Sequence, residues 1–150
     1  MVNKSDLKQM KIVPHVSVGP IMFNLTVEDV LSMLGEPTAR FFKGFSNRET
    51  FAYDDVGMHV FFDKYLLVDS LEFFEPAKLI LFDIELFELS FEDLINLFKE
   101  KDASTKEDDD GFVANQTGIA VYAPEKVEDR TLKAEAILVY RDLDYYEKED

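Results

Sequence analysis

The 150-residue sequence contains no cysteine and no tryptophan. Without cysteine the chain cannot form a disulfide or a zinc site with thiolate ligands, and a reducing compartment is its natural environment. We therefore expect a cytoplasmic protein. The polar N-terminal segment has no apolar core, so we expect no signal peptide. No apolar run approaches the ~18 residues that a membrane helix needs, so we expect no membrane segment.

Basic residues are scarce: 16 Lys and Arg stand against 31 Asp and Glu, which gives a formal net charge of −15. A nucleic-acid backbone would be repelled by this charge, so nucleic-acid binding is disfavoured. A basic protein partner would instead be attracted and its association accelerated. At this level the charge is explained equally well by a role in solubility alone.

Sequence signatures of catalysis and of cofactor binding are also missing. The six glycines form no glycine-rich nucleotide-binding motif, and no Gly-x-Ser-x-Gly or cysteine nucleophile is present. The acidic run Glu107–Asp110 does not have EF-hand spacing, because Lys106 and Thr117 stand where acidic ligands are required. We therefore predict a non-enzymatic protein with no catalytic residues, no cofactor and no metal site.

The chain contains an internal repeat. The segments Phe23–Glu36 and Phe87–Glu100 share Phe, Leu, Glu, Asp and a final Glu at matching positions, and a Thr in the first is matched by a Ser in the second. Every apolar position of one segment meets an apolar position of the other. Such a repeat indicates that one structural unit is used twice.

Each copy of the repeat predicts a capped helix. Thr26 and Ser90 are good N-cap residues, and each is followed three positions later by an acidic residue at the capping-box position. Apolar residues then recur at spacings of three and four, as on one face of a helix. We expect the first helix to end before Gly35 and the second to end near Lys101.

Strand-like sequence follows each predicted helix. Alternating apolar residues and short turns predict strands near 40–43, 49–53, 58–62, 66–74, 112–115, 119–122 and 132–140. We therefore predict an α+β fold made of two similar helix-plus-antiparallel-sheet modules in tandem, with the helices on one sheet face. The expected divisions are an N-terminal extension at 1–18, modules at 19–75 and 79–140, and an acidic tail at 141–150. The polar segment 101–110 is expected to be a mobile loop.

The pattern Phe-x-Leu-Thr-x-Glu-Asp-Val-x-x-x-Leu-Gly-Glu-Pro, from Phe23 to Pro37, resembles the opening of the small α+β modules in the outer-membrane-assembly lipoprotein family. Two such modules in tandem are similar to the architecture of β-lactamase inhibitor proteins. This resemblance implies one sheet face covered by helices and another face free to bind a partner. The chain departs from both groups in having no cysteine for lipid anchoring or disulfides. In size and acidity it is similar to bacterial immunity proteins.

The candidate partner surface lies on predicted strands of the first module. Alternation within 66–74 divides its side chains between two faces, and we expect one of these sets to face solvent. That set is Val68, Ser70, Glu72 and Phe74. His59 and Phe61 are expected to share one face as well. Aromatic residues mixed with carboxylates suit a partner rich in Arg and Lys, although each aromatic could equally belong to the core.

Acidic turns form the second part of the candidate surface. Asp54 and Asp55 lie in a predicted turn of the first module, and Asp108, Asp109 and Asp110 lie in the second. Such residues can occupy the basic cleft of a nuclease, or they can serve only solubility and edge protection. Our leading prediction is an immunity-type inhibitor of a basic toxin domain, such as a nuclease.

Two other function classes stay open at this level. One is a structural or assembly adaptor, which is closer to the role of the lipoprotein modules. The more distant one is a small-molecule sensor or an enzyme that uses His59 as a general base or as a pH-sensitive contact. A histidine on a partly exposed sheet face, without a chemical role, is the simpler interpretation of His59.

Overall fold

The computed structural model describes residues 2–42, 48–143 and 145. Lys43 of the first predicted strand, and Asp144 and residues 146–150 of the predicted tail, lie outside these residues. The described chain is an α+β fold, as predicted, with helices α1 (Val27–Leu34) and α2 (Phe91–Lys101). Its strands are β1 Met10–Val13, β2 Ser17–Val18, β3 Ile21–Met22, β4 Ala39–Phe42, β5 Glu49–Tyr53, β6 Met58–Phe62, β7 Val68–Phe73, β8 Leu79–Leu81, β9 Ile84–Glu85, β10 Lys106–Glu107, β11 Gly111–Ala114, β12 Ile119–Tyr122 and β13 Ala136–Tyr140.

Both helices begin at the predicted caps, because side chains satisfy backbone N–H groups that the helix itself leaves free. The Asp29 N–H donates to Thr26 Oγ1 at 3.1 Å, and the Thr26 N–H donates to the Asp29 carboxylate at 3.0 Å. The Asp93 N–H donates to Ser90 Oγ at 3.1 Å. Helix α1 ends before Gly35, whose φ of 81° few other residues adopt.

Eight strands form one antiparallel sheet in the order β10-β11-β12-β13-β7-β6-β5-β4. Strands β4 to β7 form an antiparallel meander after α1, and β10 to β13 form another after α2. The last strands of the two meanders, β7 and β13, pair with each other, so a single sheet crosses both halves of the chain. The N-cap residue of each helix also forms an isolated bridge, Thr26 with Leu67 and Ser90 with Lys133.

A second sheet, of order β3-β2-β1-β8-β9, includes two strands, β1 and β2, from the segment predicted to be an N-terminal extension. Its strand β1 pairs in parallel with β8, and Met10 and Ile12 of β1 are buried in the core. These strands are too short for a hydrophobic period to be visible in the sequence. Their stabilisation comes from pairing with residues far along the chain, as in the pairing of β1 with β8. The predicted domain divisions stay a prediction, but residues 10–18 are an integral part of the packing.

Cross-strand pairing assigns the residues of the large sheet to two faces. One face, called the covered face here, carries buried side chains that include Phe51, Val60, Leu71, Phe112 and Val139. Both helices contact residues of this face. The ring centroids of Phe91 and Phe98 of α2 lie 5.9 and 5.2 Å, respectively, from the ring centroid of Phe112. Beside α1, the Tyr53 hydroxyl donates to the Gly35 carbonyl at 2.9 Å, and burial raises the pKa of this phenol to about 12.

The segment predicted to be a mobile loop, 101–110, has a defined structure instead. The Asp102 carboxylate is buried and accepts hydrogen bonds from the backbone N–H and hydroxyl groups of Ser104 and Thr117. Burial disfavours the charged carboxylate, but these four bonds outweigh it and hold the pKa of Asp102 below its ordinary value. Strand β10 follows. The prediction of a loop was wrong because Thr117, which helps to order this segment, lies fifteen positions from Asp102 in the sequence.

Candidate partner-binding face

The opposite side of the large sheet, called the open face here, carries the predicted residues of the first module. Its side chains include Phe41, His59, Phe61, Glu72, Val113, Tyr122, Ala136 and Leu138. His59 and Glu72 are directly opposite each other on β6 and β7, as alternation along both strands requires. The ring contacts of α2 with the sheet lie on the covered face.

His59 is the centre of an aromatic and acidic cluster at one end of the open face. Its Nδ1 lies 3.5 Å from Glu72 Oε1, and its Nε2 lies 3.4 Å from Asp54 Oδ1. Three phenylalanine rings meet the imidazole edge to face, with centroid distances of 5.0, 5.6 and 6.5 Å. These rings belong to Phe74, Phe41 and Phe61, respectively. The structure therefore brings together five of the predicted site residues.

A groove of about 440 Å³ continues the open face into the second half of the chain. Glu72 lies at one end, Asp108 and Asp110 lie at the other, and apolar side chains line the floor between them. Tyr122 is 47% exposed, which makes it the most exposed aromatic ring of this lining. No Lys or Arg is among the described residues that line the groove, but Lys106 of edge strand β10 lies opposite Val113 and so belongs to the same face. The arrangement combines an apolar floor with carboxylates at both ends, which suits a cationic and partly apolar ligand surface.

Two residues that were predicted to face solvent, Ser70 and Val68, are buried instead. Ser70 is fully buried, and its hydroxyl lies 3.2 Å from the Tyr145 hydroxyl, which belongs to the predicted tail. Val68 is also fully buried, because the pairing register shifts between Phe61, opposite Ser70, and Phe62, opposite Val68. This bulge leaves Asp69 as an extra residue and turns Val68 to the covered face. Burial raises the pKa of the Asp69 carboxyl.

Two other predicted residues lie away from the groove. Asp55 belongs to a 3-10 turn, Asp54–Val56, and lines a different depression together with Lys8 and Lys78. Asp109 is exposed at the tip of the β10–β11 turn but is not part of the groove lining. Within the same turn, Asp108 Oδ1 accepts a hydrogen bond from the Asp110 N–H at 3.0 Å, which fixes the turn.

The floor of the groove was not predicted. Its residues come from the second meander and include Val113, Ala120, Tyr122, Ala136 and Leu138. Alternation along β12 and β13 could have assigned them to one face, since both strands were predicted. The missing information was that β13 pairs with β7, which places these residues beside Glu72.

The chemistry available at His59 is limited by its neighbours. Each ring nitrogen faces a carboxylate, and the two carboxylates lie on opposite sides of the imidazole, so they do not converge on one metal position. Across the described residues, no group of three or more His, Asp or Glu side chains is arranged to hold a metal ion. The cluster therefore places two carboxylates and three aromatic rings around one imidazole at one end of the open face.

No known protein family matches the sequence, and no curated protein or solved structure shows significant similarity to it. In the part of the chain that the structure describes, no helix has both the length and the apolar character needed to cross a membrane.

Proposed function

We propose that this chain is a non-catalytic binding protein that holds a basic protein partner on its open face, in the manner of an immunity-type inhibitor and its toxin. The observation that carries the proposal is the groove from Glu72 to Asp108 and Asp110, with an apolar floor and no basic residue among its described lining. A net charge of −15 supports fast association with a basic partner. The absence of cysteine supports a cytoplasmic site of action.

The proposal includes a tandem origin for the two halves. Each half has a capped helix followed by a four-stranded meander. The N-cap residue of each helix forms a bridge with a residue shortly before the last strand of that meander: Thr26 with Leu67, and Ser90 with Lys133. Pairing of β7 with β13 then joins the two meanders into one wide face. A face built in this way offers more area to a partner than either meander alone, which a stable protein complex requires.

The test uses charge reversal at both ends of the open face. The double variant Glu72→Lys and Asp110→Lys is compared with the wild-type protein as immobilised bait for basic proteins of the source cell. We expect the variant to lose the basic partner that the wild-type protein retains. With that partner purified, its association rate should fall at least ~10-fold at low salt, since attraction between opposite charges speeds encounter.

The matched control is Glu88→Lys with Glu100→Lys, which changes the net charge equally at two exposed positions on α2 and the turn before it. This control should keep the partner and most of the association rate. Equal losses in both variants would show that the effect comes from the net charge of the protein and not from the open face. Retention of the partner by the open-face variant, with its thermal stability unchanged, would refute the open face as the binding surface.

A further inference from the structure

A second cavity, of about 460 Å³, lies on the other side of the large sheet, between the start of α1 and the edge strand β4. Aromatic rings from β4, β5, β6 and the following turn line it, namely Phe42, Phe51, Phe62 and Tyr65. Two carboxylates, Glu28 of α1 and Glu49 of β5, complete the polar part of the lining together with Thr26. The cavity is on the covered face, so it is separate from the groove of the proposed function.

One of these rings already contacts a guanidinium group of the chain itself. The guanidinium carbon of Arg40 lies 4.7 Å above the centre of the Phe51 ring. The same group donates to Glu36 at 2.9 and 3.0 Å, and its other terminal nitrogen lies 3.7 Å from Glu49. Phe51 and Glu49 of the cavity thus already contact the guanidinium of Arg40, which lies outside the lining. A guanidinium is attracted both to the face of an aromatic ring and to a carboxylate.

The rest of the lining offers the same chemistry to a second cation. Phe42 is 59% exposed, so its ring is accessible. Tyr65 is 71% exposed, and the Lys64 ammonium lies 5.3 Å from the centre of its ring, so this ring already contacts a cation of the chain that a guanidinium would displace. Glu28 is exposed as well, and the described lining contains no basic residue to neutralise it. A planar guanidinium can stack on an aromatic ring and pair with a carboxylate at once, whereas an ammonium is compact and more strongly hydrated. A cavity of this size accommodates such a side chain.

We propose that this cavity binds a guanidinium group, supplied as the arginine side chain of a partner polypeptide. The polypeptide source is favoured by position, because β4 is an edge strand of the sheet and Phe42, one of its residues, lines the cavity. An extended segment paired with an edge strand places alternate side chains on one face, where this cavity lies. A free guanidinium compound would use the same contacts without the strand.

The experiment is a titration of the full chain followed by NMR chemical shifts of its backbone amides. The probes are acetyl-arginine amide and acetyl-citrulline amide, which has a similar shape without the charge. We expect the arginine probe to shift amides around Glu28, Glu49 and Tyr65, and the citrulline probe to bind at least ~10-fold more weakly. Equal shifts with both probes would overturn the inference.

Variants locate the site. Glu28→Gln with Glu49→Gln should weaken binding of the arginine probe about tenfold, and Tyr65→Leu should weaken it more than Tyr65→Phe, which retains the ring. The control Glu88→Gln with Glu100→Gln removes an equal charge at exposed positions away from both surfaces, and it should bind the probe as the wild-type protein does. Binding lost equally in this control would indicate general attraction to an acidic protein and would overturn the site, whatever the outcome for the open face.

The source of the group is tested with the peptide acetyl-Val-Thr-Arg-Thr-Val-amide. Tighter binding than that of acetyl-arginine amide, together with slower hydrogen exchange of β4 amides, supports a polypeptide arginine. Equal affinity with unchanged exchange keeps the guanidinium site but overturns the polypeptide source in favour of a small compound.

Discussion

At the scale of single residues, a cluster of charged side chains surrounds Glu107 on strand β10. Its carboxylate accepts hydrogen bonds from Arg130 at 2.7 Å and from Lys126 at 2.8 Å. Both cations also lie over the Phe91 ring, at 5.0 and 5.6 Å from its centre. Arg130 reaches Glu92 of α2 as well. One cluster therefore joins β10, the segment before β13 and the first turn of α2.

These contacts make stability depend on pH in a defined direction. Hydrogen bonds from Arg130 and Lys126 lower the pKa of Glu107 from 4.5 to about 2. A carboxyl with a lowered folded-state pKa contributes stability above pH 4.5 and loses it as the pH falls towards 2. We expect Glu107→Gln to lower the free energy of unfolding by about 1–2 kcal/mol at pH 7. The difference from the wild-type protein should shrink as the pH falls through that range.

Urea unfolding at a series of pH values measures this effect. Glu125→Gln removes an equal charge from a neighbouring exposed position and serves as the control. It should leave the free energy of unfolding nearly unchanged. A Glu107→Gln variant that is as stable as the wild-type protein at pH 7, or a difference that is constant down to pH 2, would contradict the assigned role of the ion pairs.

At the scale of elements, the two helices are similar in their caps but different in their burial. Helix α2 buries an apolar stripe formed by Phe91, Leu94, Ile95 and Phe98. Helix α1 buries only Val30, and its other apolar residues, including Leu31, are partly exposed. The sequence pattern predicts an equal stripe on each helix, because period alone does not reveal how much of the stripe a neighbouring element covers.

This difference predicts unequal costs of truncation. Ile95→Ala should lower the free energy of unfolding by about 2–5 kcal/mol, since Ile95 is fully buried. Leu31→Ala should cost less, because part of its side chain is already in contact with solvent. The control is Asn96→Ala, at an exposed position of α2. Thermal unfolding followed by circular dichroism measures all three, and an equal or larger loss for Leu31→Ala would contradict the observed packing.

At the scale of the whole molecule, the two halves share one sheet and one core. The pairing of β7 with β13 involves Phe73 with Ile137 and Leu71 with Val139, and all four side chains are buried. The same apolar cluster extends to Met10 of β1. Residues from the N-terminal strands and from both meanders therefore lose their packing partners together when either half opens.

We expect a single cooperative unfolding transition as a result. Far-ultraviolet circular dichroism follows the backbone, and tyrosine fluorescence follows tertiary packing, since the chain contains six tyrosines and no tryptophan. The two signals should give one midpoint in urea, as a two-state unit requires. Two separated transitions would show that the halves unfold independently, as the predicted domain divisions at 19–75 and 79–140 would allow.

Much of the local structure could be predicted from the sequence. Hydroxyl groups at Thr26 and Ser90 cap the helices because the needed N–H groups are only three residues away. Most strands of the large sheet were predicted to within a few residues, since alternation is a local pattern. Part of the candidate site followed as well: His59, Phe61 and Glu72 do share one face.

What the sequence determined by itself is therefore the short-range part of this protein: its charge, its helix caps and the alternation along its strands. Tertiary structure alone decided which faces are covered, because the burial of Ser70 depends on Tyr145, which is distant in the chain, and the burial of Val68 depends on a bulge in the pairing of β6 with β7. It also decided the extent of the open face, because only the pairing of β7 with β13 places Tyr122 and Leu138 in line with Glu72. Side chains are selected locally, but a surface is assembled by long-range pairing, which a local pattern does not encode.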